Sequence, residues 1–148
     1  MPFKINIGEK GKTWKLELEA PNIHGKSVGD KISGSDLNQE LHGYELEIMG
    51  GSDLSGFPMS KNVEGIGLKS VLLSKGWGMH KRPRRGGKKK VSTPRGLRKR
   101  KTVRGKTISE AVVQINMKVT KSGHKPLAEI FADQNQPKEQ KAPEVPAQ

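Results

Sequence analysis

The sequence contains no cysteine, which excludes a disulfide framework and any thiolate nucleophile or metal ligand and fits a reducing compartment. Aromatic residues are scarce, at 4%. Long apolar runs are missing as well. The aliphatic stretch at residues 71–73 falls far short of the roughly 20 residues that a membrane-spanning helix needs, and residues 1–20 alternate apolar with charged side chains instead of forming a signal h-region. These absences predict a soluble, unexported protein with no membrane partner. The sharpest absence is of acid. Residues 65–109 hold sixteen Lys or Arg and no Asp or Glu, whereas residues 1–64 hold seven bases against ten acids and residues 110–148 five against five. The net charge of +13 is therefore concentrated in one region.

What is present outside that region reads as one body. A chain of 148 residues with 31% hydrophobic content has room for a single core of about 80 to 110 residues. Phe3, Ile5 and Ile7 alternate with polar residues, as do Trp14, Leu16 and Leu18, and Gly8 to Lys12 between them supply turn residues, so a β-hairpin is expected. Ser35 as N-cap with Leu37 and Leu41 four apart predicts a two-turn helix. Tyr44, Leu46 and Ile48 predict a strand ended by Gly50 and Gly51. Further strands are expected at residues 68–73 and 113–119, and Pro126 with Leu127, Ile130 and Phe131 predicts a short terminal helix. The fold class is mostly β, a small antiparallel barrel-like body with short helices. The expected division is a β-rich body at 1–80, an extended basic segment at 81–107, a strand and helix completing the body at 108–133, and a disordered tail at 134–148, rich in Pro, Gln, Lys and Glu.

Sites of chemistry are thin. Gly11, Lys12 and Thr13 resemble the end of a phosphate-binding loop, but the glycine such a loop needs five positions earlier is Asn6; Gly105, Lys106 and Thr107 fail at Arg100 in the same way. His24, His42, His80 and His124 have no ligand partner at metal-binding spacing, so no metal is expected. Glu45 and Glu47 share a strand face without any sign of a cleft, which reads as a solvated surface and not as an acid–base pair. No catalytic residue, cofactor or small-molecule substrate is expected.

The basic segment carries the functional expectation. Residues 81–106 interleave fourteen cations with proline and glycine, cannot assemble a core, and should order only against a polyanion. Its candidate RNA-binding residues are Lys81, Arg82, Arg84, Arg85, Lys88, Lys89, Lys90, Arg95, Arg98, Lys99, Arg100, Lys101, Arg104 and Lys106; the arginines can fork onto phosphates and stack on bases. A solvated surface, a localisation signal and a membrane-surface patch are the bland alternatives, the last disfavoured by the lack of an amphipathic helix with apolar anchors. Trp77, just upstream, could stack on a base or plug the end of the body, and core packing is the preferred expectation.

Gly50 to Met59, then Leu72 to Gly76, Arg82 to Arg85, and Arg98 to Gly105 carry, in this order and spacing, a resemblance to the small-subunit ribosomal protein six family of archaea and eukaryotes, extending over residues 1–131. The resemblance implies a component of the small ribosomal subunit, cytoplasmic, with a β-rich body at the foot of the particle and basic segments threaded into ribosomal RNA beside neighbouring ribosomal proteins. It implies no catalysis. Eukaryotic members continue into a long basic helix with regulatory phosphoserines, so this chain resembles the short archaeal form and kinase regulation is not expected. Within the stretch 50–59, Phe57 and Pro58 are expected to seal one end of the body, Phe57 fully buried. Three rival functions compete. A DNA- or RNA-binding architectural protein outside the ribosome would show a dimerisation surface or an apolar wedge. An RNA-processing enzyme would need a carboxylate among the cations. An adaptor for acidic proteins is the third.

Overall fold

The computed structural model describes residues 2–19, 21–79, 95–132 and 134–135. Alternation sets the first strands. β1 (Phe3–Glu9) buries Phe3, Ile5 and Ile7, and β2 (Lys12–Leu18) folds back on it with Trp14 opposite Ile7. The turn consists of Lys10 and Gly11, both at positive φ (46° and 82°), the two-residue geometry whose twist matches that of the flanking strands. β3 (Lys31–Ser33) pairs antiparallel with β4 (Glu45–Asp53), setting Ile32 opposite Leu46.

β7 (Val112–Lys121) joins the two halves. It runs parallel to β1, with Ile5 opposite Ile115, and antiparallel to β4, with Ile48 opposite Met117, giving the order β2-β1-β7-β4-β3. Ile5, Ile7, Leu46, Ile48 and Ile115 are fully enclosed. Each such side chain contributes about 1.5–3 kcal/mol relative to exposure, so this face is the core. Leu127, at the start of the one-turn helix α1 (Leu127–Ile130) after Pro126, is buried in the same cluster. So is Tyr44, whose hydroxyl donates to the Lys125 carbonyl at 2.5 Å. Burial, followed by the nearby negative charge of Glu9, holds its phenol above the usual pKa of 10.

The class is mostly β, as expected, but the sheet stays open, with β2 and β3 at opposite edges, and its central β1–β7 pair is parallel. The β2 edge is covered from the C-terminal side. The Lys15 N–H donates to Gln134 Oε1 at 2.7 Å, Gln134 Nε2 donates to the Lys15 carbonyl at 2.8 Å, and Asn135 Nδ2 donates to the Thr13 carbonyl at 2.8 Å. The first residues of the expected tail are thus anchored by their side-chain amides to the β2 backbone; the tail beyond them lies outside the described residues.

Two local expectations change. Residues 35–41 form two short 3₁₀ turns, Gly34–Asp36 and Gln39–Leu41, because Asn38 between them is extended and caps the second by accepting from the Glu40 N–H at 3.2 Å. Gly50 and Gly51 do not end their strand either. β4 passes through them with a register shift between Ile48 and Gly50. A Cβ on Gly51 would stand 2.3 Å from the Gln114 carbonyl oxygen, so these glycines permit close approach and do not terminate the strand.

A separate two-stranded ribbon pairs β5 (Leu68–Leu73) with β6 (Lys99–Arg104) in six antiparallel residue pairs. β6 falls inside the stretch expected to be without order of its own. The reason is that it does not order alone: β5 supplies its ladder, Val103 is buried, and the Arg104 N–H and carbonyl bond to the Pro58 carbonyl and the Ser60 N–H. Among the described residues no helix is long and apolar enough to cross a membrane.

Candidate nucleic-acid interface

Side chains opposite one another in an antiparallel pair share a face, and alternate residues of one strand repeat on that face about 6.6–6.8 Å apart. The register of Leu73 with Lys99, Val71 with Lys101 and Lys69 with Val103 therefore places Lys69, Lys99 and Lys101 on one face of the ribbon with Val71, Leu73 and Val103. The other face carries Arg100 opposite Leu72, and Thr102 opposite Ser70. Arg95, Arg98 and Arg100 are exposed, and Lys99 and Lys101 half-exposed. Among the described residues no ion pair joins any of these five to a carboxylate. They form a cationic ribbon whose charge no described carboxylate compensates. Lys69 belongs with them, and sequence reasoning passed over it: the β5 strand was legible, but nothing in the sequence names its partner.

Two of the expected RNA contacts are otherwise engaged. Arg104 Nη2 and Nε reach Asp53 Oδ2 at 2.9 and 3.0 Å, and Nη1 donates to the Ile66 carbonyl at 3.0 Å. Asp53 is the buried charged residue of the described part, its side chain 2% exposed against 14% for Arg104, and its Oδ1 accepts from the Phe57 N–H at 2.8 Å. This guanidinium locks the base of the ribbon to the end of β4. Lys106 Nζ reaches Glu64 at 2.7 Å in a more open pair, worth about 0–1 kcal/mol. Lys81, Arg82, Arg84, Arg85, Lys88, Lys89 and Lys90 lie outside the described residues.

Around the ribbon's foot, two aromatic expectations are corrected. Phe57 is half-buried, not enclosed; the buried side chain of that loop is Met59, 1% exposed. Its backbone fixes the position, because Met59 N–H donates to the Gly51 carbonyl and the Asp53 N–H donates to the Phe57 carbonyl. Trp77 is 61% exposed and does not plug the core; its ring rests against β4 where a side chain of residue 50 would stand. His42 and His124, distant in sequence, stack with centroids 6.3 Å apart, while among the described residues no group of three or more His, Asp or Glu is arranged to hold a metal ion. Glu45 faces Lys121 at 3.7 Å on the solvated side of the sheet.

A family model described as ribosomal protein S6e matches residues 1–132. Similar proteins include the small ribosomal subunit protein eS6 of Methanosphaera stadtmanae, 39% identical with 95% of this chain and all of the relative covered, and that of Methanothermobacter thermautotrophicus, 42% identical over 88% and 96%. The eS6 protein of Nanoarchaeum equitans is 39% identical over 86% of each chain.

Proposed function

From the premise that the chain belongs to the ribosomal protein S6e family, we propose that it is a structural, non-catalytic constituent of the small ribosomal subunit, in the cytoplasm, that stabilises ribosomal RNA through its acid-free basic region and sits beside other ribosomal proteins. The observation that carries the RNA contact is the row of cations on the ribbon: Lys69, Lys99 and Lys101 on one face, Arg100 on the other, and Arg95 and Arg98 just before β6, without carboxylate partners among the described residues. Lys81, Arg82, Arg84, Arg85, Lys88, Lys89 and Lys90 belong to the same acid-free stretch of sequence and add to its charge toward RNA. Cations on an extended strand meet phosphates without reading base edges, so affinity comes from counterion release and specificity from where the body docks.

Arg104 and Lys106 play a different part in this reading, fixing the ribbon's angle on the body. Cosedimentation tests the assignment. The protein should remain with small ribosomal subunits through a high-salt wash; its recovery in the free fraction, or on large subunits alone, would overturn it.

A further inference from the structure

Trp77 leaves 61% of its surface in water, whereas the other tryptophan, Trp14, is 4% exposed in the core. Trp77 is also held in place. It sits in a tight turn closed by the Met79 N–H on the Gly76 carbonyl, and the six-membered ring of its indole lies against the backbone of β4. A Cβ on Gly50 would fall 2.1 Å from Cη2 and 2.8 Å from Cζ2, and Gly50 has a φ of 155°, so glycine is required there twice over. Beside the ring, Pro58, Met59, Leu73 and Val103 line a depression of only about 20 Å³. Nothing the size of a base can enter it. A ligand group must lie against the indole's exposed surface instead.

A row of lysines leads to this platform along one face of the ribbon. Leu73 and Val103 line the depression and stand in register with Lys99 and Lys69, so the face of the ribbon that carries Lys69, Lys99 and Lys101 is the one that leads to Trp77. Lys75 and Lys81 flank it in sequence, and no Asp or Glu occurs anywhere in residues 65–109. An exposed, backbone-braced ring at the end of a row of cations is the arrangement that tracks a sugar–phosphate backbone while stacking one base. A paired base within a helix has both faces covered by its neighbours and offers nothing to stack upon.

We propose that Trp77 is a stacking platform for one unpaired nucleotide of RNA, whose adjoining phosphates run along Lys69, Lys99 and Lys101. This rests on the RNA-binding reading above and narrows its substrate: the ribbon recognises a bulged, looped or single-stranded nucleotide beside its phosphate track. The ring is already fixed, so stacking immobilises little that was free.

The experiment uses the full chain, a single-stranded oligoadenylate RNA and a blunt RNA duplex of equal length. Tryptophan emission and affinity are read together at low salt, with a melting curve for each variant. The single strand should quench emission and the duplex should not. Trp77→Phe should abolish the quenching, since Trp14 is enclosed, while keeping single-strand affinity within a few fold. Trp77→Ala should weaken single-strand binding by roughly 5- to 150-fold, the value of one stacked base, and leave duplex binding and the melting temperature in place. Single-strand binding without quenching, or equal binding of both RNAs by Trp77→Ala and the parent, would overturn the platform and leave the phosphate track standing. Loss of subunit incorporation by Trp77→Ala with oligoadenylate binding and quenching by the parent absent would assign the ring to a protein neighbour and likewise overturn it. Failure of the parent to bind either RNA would defeat the RNA reading itself.

Discussion

β1 of the open sheet and β6 of the ribbon are strands of similar length with opposite uses of their two faces. β1 turns Phe3, Ile5 and Ile7 inward, where each is at most 2% exposed, and β6 turns in Val103 alone while Arg100 projects to solvent and Lys99 and Lys101 stay half-exposed. A two-stranded hairpin with so little apolar burial is marginal in isolation. The ribbon is held instead at its foot, by backbone bonds between Arg104 and residues 58 and 60, by Lys106 N–H on the Val63 carbonyl, and by the enclosed Asp53–Arg104 pair. The body obtains order from burial; the ribbon borrows it from the body. That division lets the described part of the ribbon keep its lysines and its outer arginines without ion pairs to any described carboxylate.

The contrast breaks first on salt. If the ribbon and its basic continuation neutralise about six to ten phosphates, RNA affinity should fall roughly 10³- to 10⁵-fold between 50 and 200 mM salt, while the thermal unfolding of the free body shifts by only a few degrees. Titrations at both ionic strengths decide this; a flat affinity would move the weight to stacking or to protein docking.

Asp53→Ala comes next. It strands the Arg104 guanidinium in an enclosed site and removes the acceptor of the Phe57 N–H, so the unfolding free energy should drop by about 3–5 kcal/mol in a urea melt. A melt identical to the parent's would mean the ribbon does not depend on its foot.

Replacing Arg98, Lys99, Arg100 and Lys101 together by Ala inverts that outcome. The slope of log affinity against log salt should become shallower by about 3–4, for all RNA sequences alike, with little change in melting temperature because none of the four is buried. Collapse of the fold in this variant would show that the lysine and arginine stems, and not the foot, hold the ribbon.

Phe57→Ala gives the smallest effect. Full enclosure of this ring would put the loss at about 3–5 kcal/mol, but a half-exposed ring with its backbone pinned at both N–H and carbonyl should cost about 1 kcal/mol. Normal melting combined with exclusion from the small subunit would mean that the loop touches RNA or a neighbour directly.

Legibility followed the same line. The hairpin, β4, β5, β7 and the turn at Leu127 could be read because period-two alternation is a local property that survives whatever packs against it. β6 could not. KRKTVR has a single aliphatic residue, and its strand state comes from β5, some thirty residues earlier. Gly50 and Gly51 were misread as a stop because a glycine that ends a strand and one that admits an indole or a carbonyl look alike in sequence. The site was legible as charge and illegible as individual contacts: Arg104 and Arg100 are the same residue type, yet one is locked on Asp53 and the other is exposed and makes no ion pair among the described residues.

The sequence by itself determined the segregation of charge, the alternating strands, a turn somewhere within Gly8 to Lys12, and the family resemblance, since each depends on residues close together in the chain. Tertiary structure alone decided that β1 would lie parallel to β7 across more than a hundred residues, that Asp53 would hold the Arg104 guanidinium at the foot of the ribbon, and that Trp77 would brace against Gly50 with most of its surface still in water. Those outcomes depend on which distant backbones meet and on how much room they leave, and neither a residue's type nor its neighbours encode that.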